Sequence, residues 1–266
     1  MADDRPGSGI GVLGSAFNPP HLGHLALAQE ALWQLGLAEV ILVPTGVAPH
    51  KRIADDPGKE LRVTMTRLAA ADDPRFSVSA LEVERDGPSY TYETLEQLVE
   101  ERGESDLVFV MGADAAVGLE SWREPEKVVG LARLAVARRS GISDAEVAAV
   151  MRSLGAAERA TMLEMPQFGV SSSAVRERAA AGRPLRYLVP EPVARFIEEK
   201  GWTQLEAAEA VGLDQPKVSH LLRGRLAGFS VDRLLNILNR LGHSVEVRIS
   251  AEEYDPGDTQ TLVTVS

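Results

Sequence analysis

The 266-residue chain carries a net charge of −11, is 44% hydrophobic and 25% charged, and contains no cysteine, the composition of a soluble globular protein. Lack of cysteine excludes disulfides, thiolate nucleophiles and Cys-ligated metals and agrees with a reducing cytoplasm, while the acidic surplus argues against nucleic-acid affinity over the whole surface. No apolar run approaches the roughly 20 residues of a membrane span, and the length suits one large α/β domain or a medium domain followed by a small one.

The polar N-terminal M-A-D-D-R-P-G-S-G lacks an apolar h-region and reads as a frayed tail rather than a signal. From Ile10 the pattern changes to I-G-V-L-G-S-A-F-N-P-P-H-L-G-H-L-A-L-A-Q-E-A-L. This predicts a buried strand over Ile10–Leu13, a loop over Gly14–Pro20 and a helix beginning near His21. A helix start has unpaired N–H groups and a positive dipole end, which makes it an anion site. His21 and His24 add two imidazoles on neighbouring helix positions. A lone histidine would more often be an ordinary surface or core residue; a pair behind a Gly-Ser turn and two prolines points to a phosphate.

The run G-S-A-F-N-P-P-H-L-G-H resembles the H-x-G-H signature of the nucleotidylyltransferase superfamily, and within it the bacterial nicotinate mononucleotide adenylyltransferases. Ser15 stands where that family commonly has a second Gly, and Asn18 where it often has Asp. The resemblance implies a Rossmann-like parallel sheet, adenylyl transfer from ATP, ATP contacts at Gly14, Ser15 and Phe17, and His21 and His24 on the transferring phosphate.

Further along, Glu39–Pro44 predicts a second buried strand in a β-α-β unit. The loop T-G-V-A-P-H-K sets His50 and Lys51 at its carboxyl end, where open α/β sheets place ligands. Lys51 is a point charge suited to phosphate, and the same run recurs in the resembled family; His50 carries no assignment. Residues 59–71 suggest an amphipathic helix, and Phe76–Glu82 alternates as a strand does. In D-G-P-S-Y-T-Y-E-T-L, Thr91 and Tyr92 open a helix. A helix cap explains the residue types, and the resemblance implies that the backbone of Thr91 and Tyr92 also reads the nicotinate carboxylate.

Asp106–Gly112 predicts another buried strand leading to Asp114, whose carboxylate is placed to accept from ribose hydroxyls. The family has an acid matching Asp114 beside ATP, which also brings Gly112 into the ATP set. Trp122 lies in a polar, exposed context, and the resemblance implies that it stacks on the pyridine ring. Strands are expected over Leu131–Ala137 and Thr161–Pro166, with a helix over 143–154 capped by Ser143. The run V-S-S-S-A-V-R-E-R then starts a helix on which the hydroxyls and N–H groups of Ser171, Ser172 and Ser173 converge on one anion, with Arg176 one turn on. It resembles the I-S-S-T-x-I-R box that binds the β- and γ-phosphates of ATP.

Enzymes of this family usually end near the Y-L-V-P-E-P-V-A-R-F-I-E-E-K-G-W run, and this chain continues. Residues 203–250 carry a net charge of +1 against −8 for residues 1–202. They show a helix-turn-helix pattern with small Ala208 at the helix contact, Gly212 in the turn and Val218 beneath the second helix. That second helix exposes Gln215, Lys217, Ser219, His220 and Arg223, residue types that read base edges and phosphates. The block is similar to XRE-family DNA-binding regulators, although two helices merely packing on the enzyme would satisfy the same pattern. Val193–Lys200 serves both parts, with no Gly/Ser linker between them.

The expected organisation is a nucleotidylyltransferase domain over 8–200, a small all-α helix-turn-helix domain over 201–250 and a tail over 251–266. The expected reaction is ATP plus nicotinate mononucleotide giving nicotinate adenine dinucleotide and pyrophosphate, with Mg²⁺ carried on ATP and no dedicated metal site. Other acceptors, nicotinamide mononucleotide or phosphopantetheine, stay open as rivals. So does a DNA-binding regulator with a nucleotide-sensing domain, for which a homodimer would be needed. The location expected is the cytoplasm, with no membrane partner.

Overall fold

The computed structural model describes residues 7, 9–49, 53–103, 106–166 and 168–200, together with positions 230, 232 and 236. The chain divides into two compact units, Met1–Gln204 and Leu205–Ser266. Lys51, His50, the helix-turn-helix positions Gln215, Lys217, Ser219, His220 and Arg223, and the helix contact at Ala208 and Val218 lie outside the described residues.

The first unit is built on six parallel strands: β1 (Ile10–Ser15), β2 (Glu39–Pro44), β3 (Phe76–Val78), β4 (Leu107–Gly112), β5 (Arg133–Ala137) and β6 (Ala160–Leu163), in the order β3-β2-β1-β4-β5-β6. The helices are α1 (Leu22–Leu35), α2 (Lys59–Ala70), α3 (Leu81–Glu84), α4 (Thr91–Arg102), α5 (Ala113–Val117), α6 (Pro125–Leu131), α7 (Asp144–Ser153), α8 (Ser172–Ala180) and α9 (Glu191–Lys200). Strands covered on both faces read as continuous apolar runs, and β2 and β4 do so. Along the central strands successive side chains enter different cores. Val12, Ile41, Phe109 and Leu134 pack with Leu95, Leu98, Val128 and Val147. Leu13, Leu42, Val110 and Ala135 pack instead with Leu27, Ala28 and Ala31 of α1. The sheet is therefore doubly wound, with Val12 in register with both Ile41 and Phe109.

A third cluster joins α2, α8 and α9 through Met65, Ala69, Val175, Val193, Ala194 and Ile197. Between β1 and β4 the winding reverses direction, which leaves a crevice at their carboxyl ends.

Three expectations change. The strand expected over 76–82 stops at Val78, because Ser79 Oγ accepts the Leu81 N–H at 3.4 Å and turns the chain into α3. The strand expected from Leu131 begins at Arg133, because Leu131 completes α6, which opens on a proline at its first position. The last strand is Ala160–Leu163 rather than Thr161–Pro166. The helix expected over 143–154 forms with a full capping box between Ser143 and Glu146.

Candidate active site

His21 caps α1 and His24 occupies its third position, with the two rings stacked at a centroid distance of 3.8 Å. His24 Nδ1 accepts the His21 backbone N–H at 3.2 Å, and its Nε2 lies 3.3 Å from Ser15 Oγ. Burial holds the His21 pKa down at about 4, and burial followed by the neighbouring His21 lowers that of His24 well below the usual histidine range. Both imidazoles are neutral at pH 7. Since Nδ1 of His24 is an acceptor, its single proton sits on Nε2, directed toward Ser15. Gly23, between them, is closely approached: a Cβ there would lie 3.1 Å from the His21 ring, which would have to give by a few tenths of an ångström.

The loop entering α1 is held tightly. Phe17 is fully buried at a left-handed φ of 46° and meets the His24 ring edge-on at 4.9 Å, and such a conformation in a bulky residue is strained. Asn18 is also buried and donates to the carbonyl of Ala54 at 2.8 Å. Arg62, on α2, is completely buried. It donates to the carbonyls of Ala16 at 2.9 Å, Thr45 at 2.6 Å and Gly46 at 3.1 Å, and pairs with Asp56 at 2.9 Å. One guanidinium thus clips the exit loops of β1 and β2 together. Sequence reading passed over it, although the signal is there: Arg62 shares a helical stripe with Met65, Thr66 and Ala69, all buried.

A cleft of about 390 Å³ opens beside this loop, reached from Val12 and Gly14 of β1, Val43 of β2 and Phe109 of β4. Tyr90 and Thr91 border it at the start of α4, which has no side-chain cap. Trp122 borders it too, but half-buried on the core and edge-on to Phe109 at 6.1 Å rather than exposed. Tyr92 packs against the core with its hydroxyl 3.0 Å from Glu93 and does not border the cleft. Glu82, which the sequence left in a strand, is a buried cleft carboxyl that accepts from the Thr94 hydroxyl at 2.8 Å, and burial raises its pKa. Ser89 Oγ accepts the N–H groups of Gly46 at 3.1 Å and Val47 at 3.2 Å, so the β2 exit and the approach to α4 are stitched together.

Asp114 is exposed on the cleft edge, pairs with Arg139 at 3.0 Å, and folds over Gly112, where a Cβ would meet its Oδ1 at 2.6 Å. At the second motif the three hydroxyls do not converge, which corrects the sequence expectation. Ser171 Oγ accepts the Ala174 N–H at 3.2 Å as a helix cap, and Ser172 Oγ donates to the Pro19 carbonyl at 2.9 Å. Only Ser173 turns to Arg176, at 3.3 Å. Arg176 in turn donates to the Asn18 carbonyl at 2.9 Å and pairs with Asp55 at 3.2 Å. The physical reason is that hydroxyls beside unpaired backbone groups satisfy those groups first. The two motifs, far apart in sequence, nevertheless meet. Among the described residues no group of three or more His, Cys, Asp or Glu side chains is gathered as a metal site, and no helix is long and apolar enough to cross a membrane.

Residues 12–178 match the family model described as cytidylyltransferase-like, and residues 178–250 match one described as a helix-turn-helix domain. A curated protein of a Roseiflexus species, named a probable nicotinate-nucleotide adenylyltransferase, is 41% identical over 192 residues, covering 72% of this chain and 96% of its own. A protein of the same name from Symbiobacterium thermophilum is 42% identical over 192 residues, covering 71% and 92%. Among solved structures, Plasmodium falciparum nicotinic acid mononucleotide adenylyltransferase complexed with NaAD aligns with a TM-score of 0.60 over 73% of this chain and 96% of that one. At 16% identity that likeness bears on the fold. Sheet order, paired imidazoles at the first strand's exit and identity along most of the enzyme unit agree: the chain belongs to the nicotinate-nucleotide adenylyltransferase family of cytidylyltransferase-like proteins, and it carries a helix-turn-helix extension.

Proposed function

We propose that this enzyme transfers the adenylyl group of ATP to nicotinate mononucleotide, giving nicotinate adenine dinucleotide and pyrophosphate. The observation that carries the reading is the pair of neutral, stacked imidazoles at the start of α1, beside an aromatic-walled cleft at the switch point of the sheet. An oxygen of the mononucleotide 5′-phosphate attacks the α-phosphorus of ATP, the bond to the bridging oxygen breaks, and pyrophosphate leaves. No protein nucleophile is needed, so catalysis rests on positioning and on charge stabilisation. The hydrogen bond from His24 Nε2 passes from Ser15 Oγ to an α-phosphate oxygen when ATP binds, and His21 and Lys51 add further contacts to the phosphates. Gly14, Ser15, Phe17, Gly112 and Asp114 shape the ATP side. Ser173, Arg176 and the N–H groups opening α8 take the leaving pyrophosphate, with Ser171 and Ser172 fixing that turn. Thr91 and Trp122 take the pyridine end, and Tyr92 contributes through its backbone N–H rather than its ring. Mg²⁺ rides with ATP, held mainly by phosphate oxygens and water, which its octahedral geometry favours.

The test is pyrophosphate release with ATP and Mg²⁺, offering nicotinate mononucleotide, nicotinamide mononucleotide and phosphopantetheine separately. Turnover with the first is expected; turnover with phosphopantetheine alone would move the reading to another acceptor class. The match of residues 178–250 to a helix-turn-helix model supports a second role for the extension, DNA binding by Gln215, Lys217, Ser219, His220 and Arg223. We assign the enzyme to 8–200, this domain to 201–250 and a tail to 251–266. DNA binding by a dimer should weaken steeply with salt, and an affinity insensitive to salt would remove that role.

A further inference from the structure

Three charged side chains border the cleft among the described residues: Glu82, Asp114 and Arg123. Both acids are engaged, Glu82 by the Thr94 hydroxyl at 2.8 Å and Asp114 by Arg139 at 3.0 Å. Among the described residues, Arg123 is thus the cation that borders the cleft. It follows Trp122 in the chain, and its guanidinium lies 4.8 Å above the Tyr90 ring with Nη1 3.5 Å from the Tyr90 hydroxyl. A guanidinium laid on an aromatic face is held in place, and the in-plane donors that it does not give to the tyrosine hydroxyl are available to a planar oxyanion. Lys127 does not substitute for it: it lies 4.9 Å above the Tyr92 ring, pairs with Glu96 at 3.2 Å and does not border the cleft.

Resting on the reading of this cleft as the pyridine end of the acceptor, we propose that Arg123 is the residue by which the enzyme prefers a ring carboxylate to a carboxamide. Trp122, Phe109 and Tyr90 offer the same aromatic surface to either ring. The N–H groups opening α4 can donate to the carbonyl oxygen of an amide as well as to a carboxylate. What differs between the two ligands is one negative charge, and Arg123 is the group placed to sense it. Glu82 stands against that charge from inside the cleft, and its burial, which favours the neutral carboxylic acid, reduces the opposition.

The test is steady-state kinetics with ATP, Mg²⁺ and either nicotinate mononucleotide or nicotinamide mononucleotide, on the full chain and on Arg123→Gln and Arg123→Lys. Arg123→Gln should lower kcat/KM for the acid about tenfold, or about 1.4 kcal/mol, mainly through KM, and leave the amide within about twofold. Arg123→Lys, which keeps the charge without the stacked fork, should retain part of the acid preference, and added salt should erode that preference in the wild type more than in Arg123→Gln. A purely structural loss would reduce both acceptors together, so an unchanged ratio in Arg123→Gln overturns the assignment. A wild type that turns over neither acceptor overturns the acceptor reading itself, and this assignment with it.

Discussion

Two helix starts meet near the substrate cleft, and they are built in opposite ways. The start of α1 is buried: His21 is the cap, Phe17 and Asn18 are packed below the surface, and Arg62 anchors the preceding loop from behind. The start of α8 is largely exposed, with Ser171 and Ser173 facing solvent. It reaches the first loop through single polar links, Ser172 to the Pro19 carbonyl and Arg176 to the Asn18 carbonyl. One start belongs to the core, and its geometry is fixed by packing. The other is a latch of single polar links, which in the proposed reaction would give way to the triphosphate. Groups that must stabilise charge developing at a single atom profit from the first kind of support, and groups that hold a departing pyrophosphate from the second.

The strongest challenge to this contrast is Arg62→Met. It removes the donor to three carbonyls and one partner of the Asp56 carboxylate, and should lower stability by about 3–5 kcal/mol; denaturant unfolding monitored by circular dichroism checks it. A loss below 1 kcal/mol would mean the α1 side is no more built-in than the α8 side. Acid should act on the same region. The His21 pKa is about 4 in the fold against 6.5 in the unfolded chain, so the unfolded chain takes up protons first. Stability is complete above pH 6.5 and falls as pH drops toward 4, by about 3 kcal/mol from this residue. Unfolding curves at pH 7.5, 6 and 5 measure the slope, which His21→Gln should flatten.

His24→Ala should lower kcat by about 10²-fold, or about 3 kcal/mol, with little change in mononucleotide KM. Equal changes in kcat and KM would contradict a role confined to the transition state. Ser172→Ala should give the smallest effect. Loss of one half-buried link to the Pro19 carbonyl should cost about 1 kcal/mol, read as a severalfold rise in the KM for ATP with kcat nearly unchanged. A fall in melting temperature as large as that of Arg62→Met would show that α8 belongs to the core after all.

Much of this was legible in the chain itself. Apolar runs at Ile10, Glu39 and Asp106 mark the three central strands, because a strand covered on both faces tolerates little else. The H-x-G-H box and the Ser-Ser-Ser-Ala-Val-Arg run mark the two anion-directed helix starts through local chemistry: caps, dipoles and short spacings. Gly23 is legible for the same reason, since the ring it must clear belongs to the same turn.

Other features depended on parts of the chain that only folding brings together. Arg62 reads as one more charge on an amphipathic helix until α2 lies against the exits of β1 and β2, where three carbonyls need a donor. Glu82 reads as an alternating strand residue until α4 covers it and Thr94 supplies its hydrogen bond. The serines of α8 read as a convergent anion cradle, and the fold divides their hydroxyls between a cap and a distant carbonyl. Sequence by itself determined the central strands, the longer helices, the two motifs and the family they belong to, because propensity, periodicity and capping act over a few residues. Tertiary structure decided which polar groups are buried and which protonation state the histidines take, because both depend on water excluded by residues dozens of positions away, and it decided which cation faces the cleft, because Arg123 is set there by the ring of Tyr90.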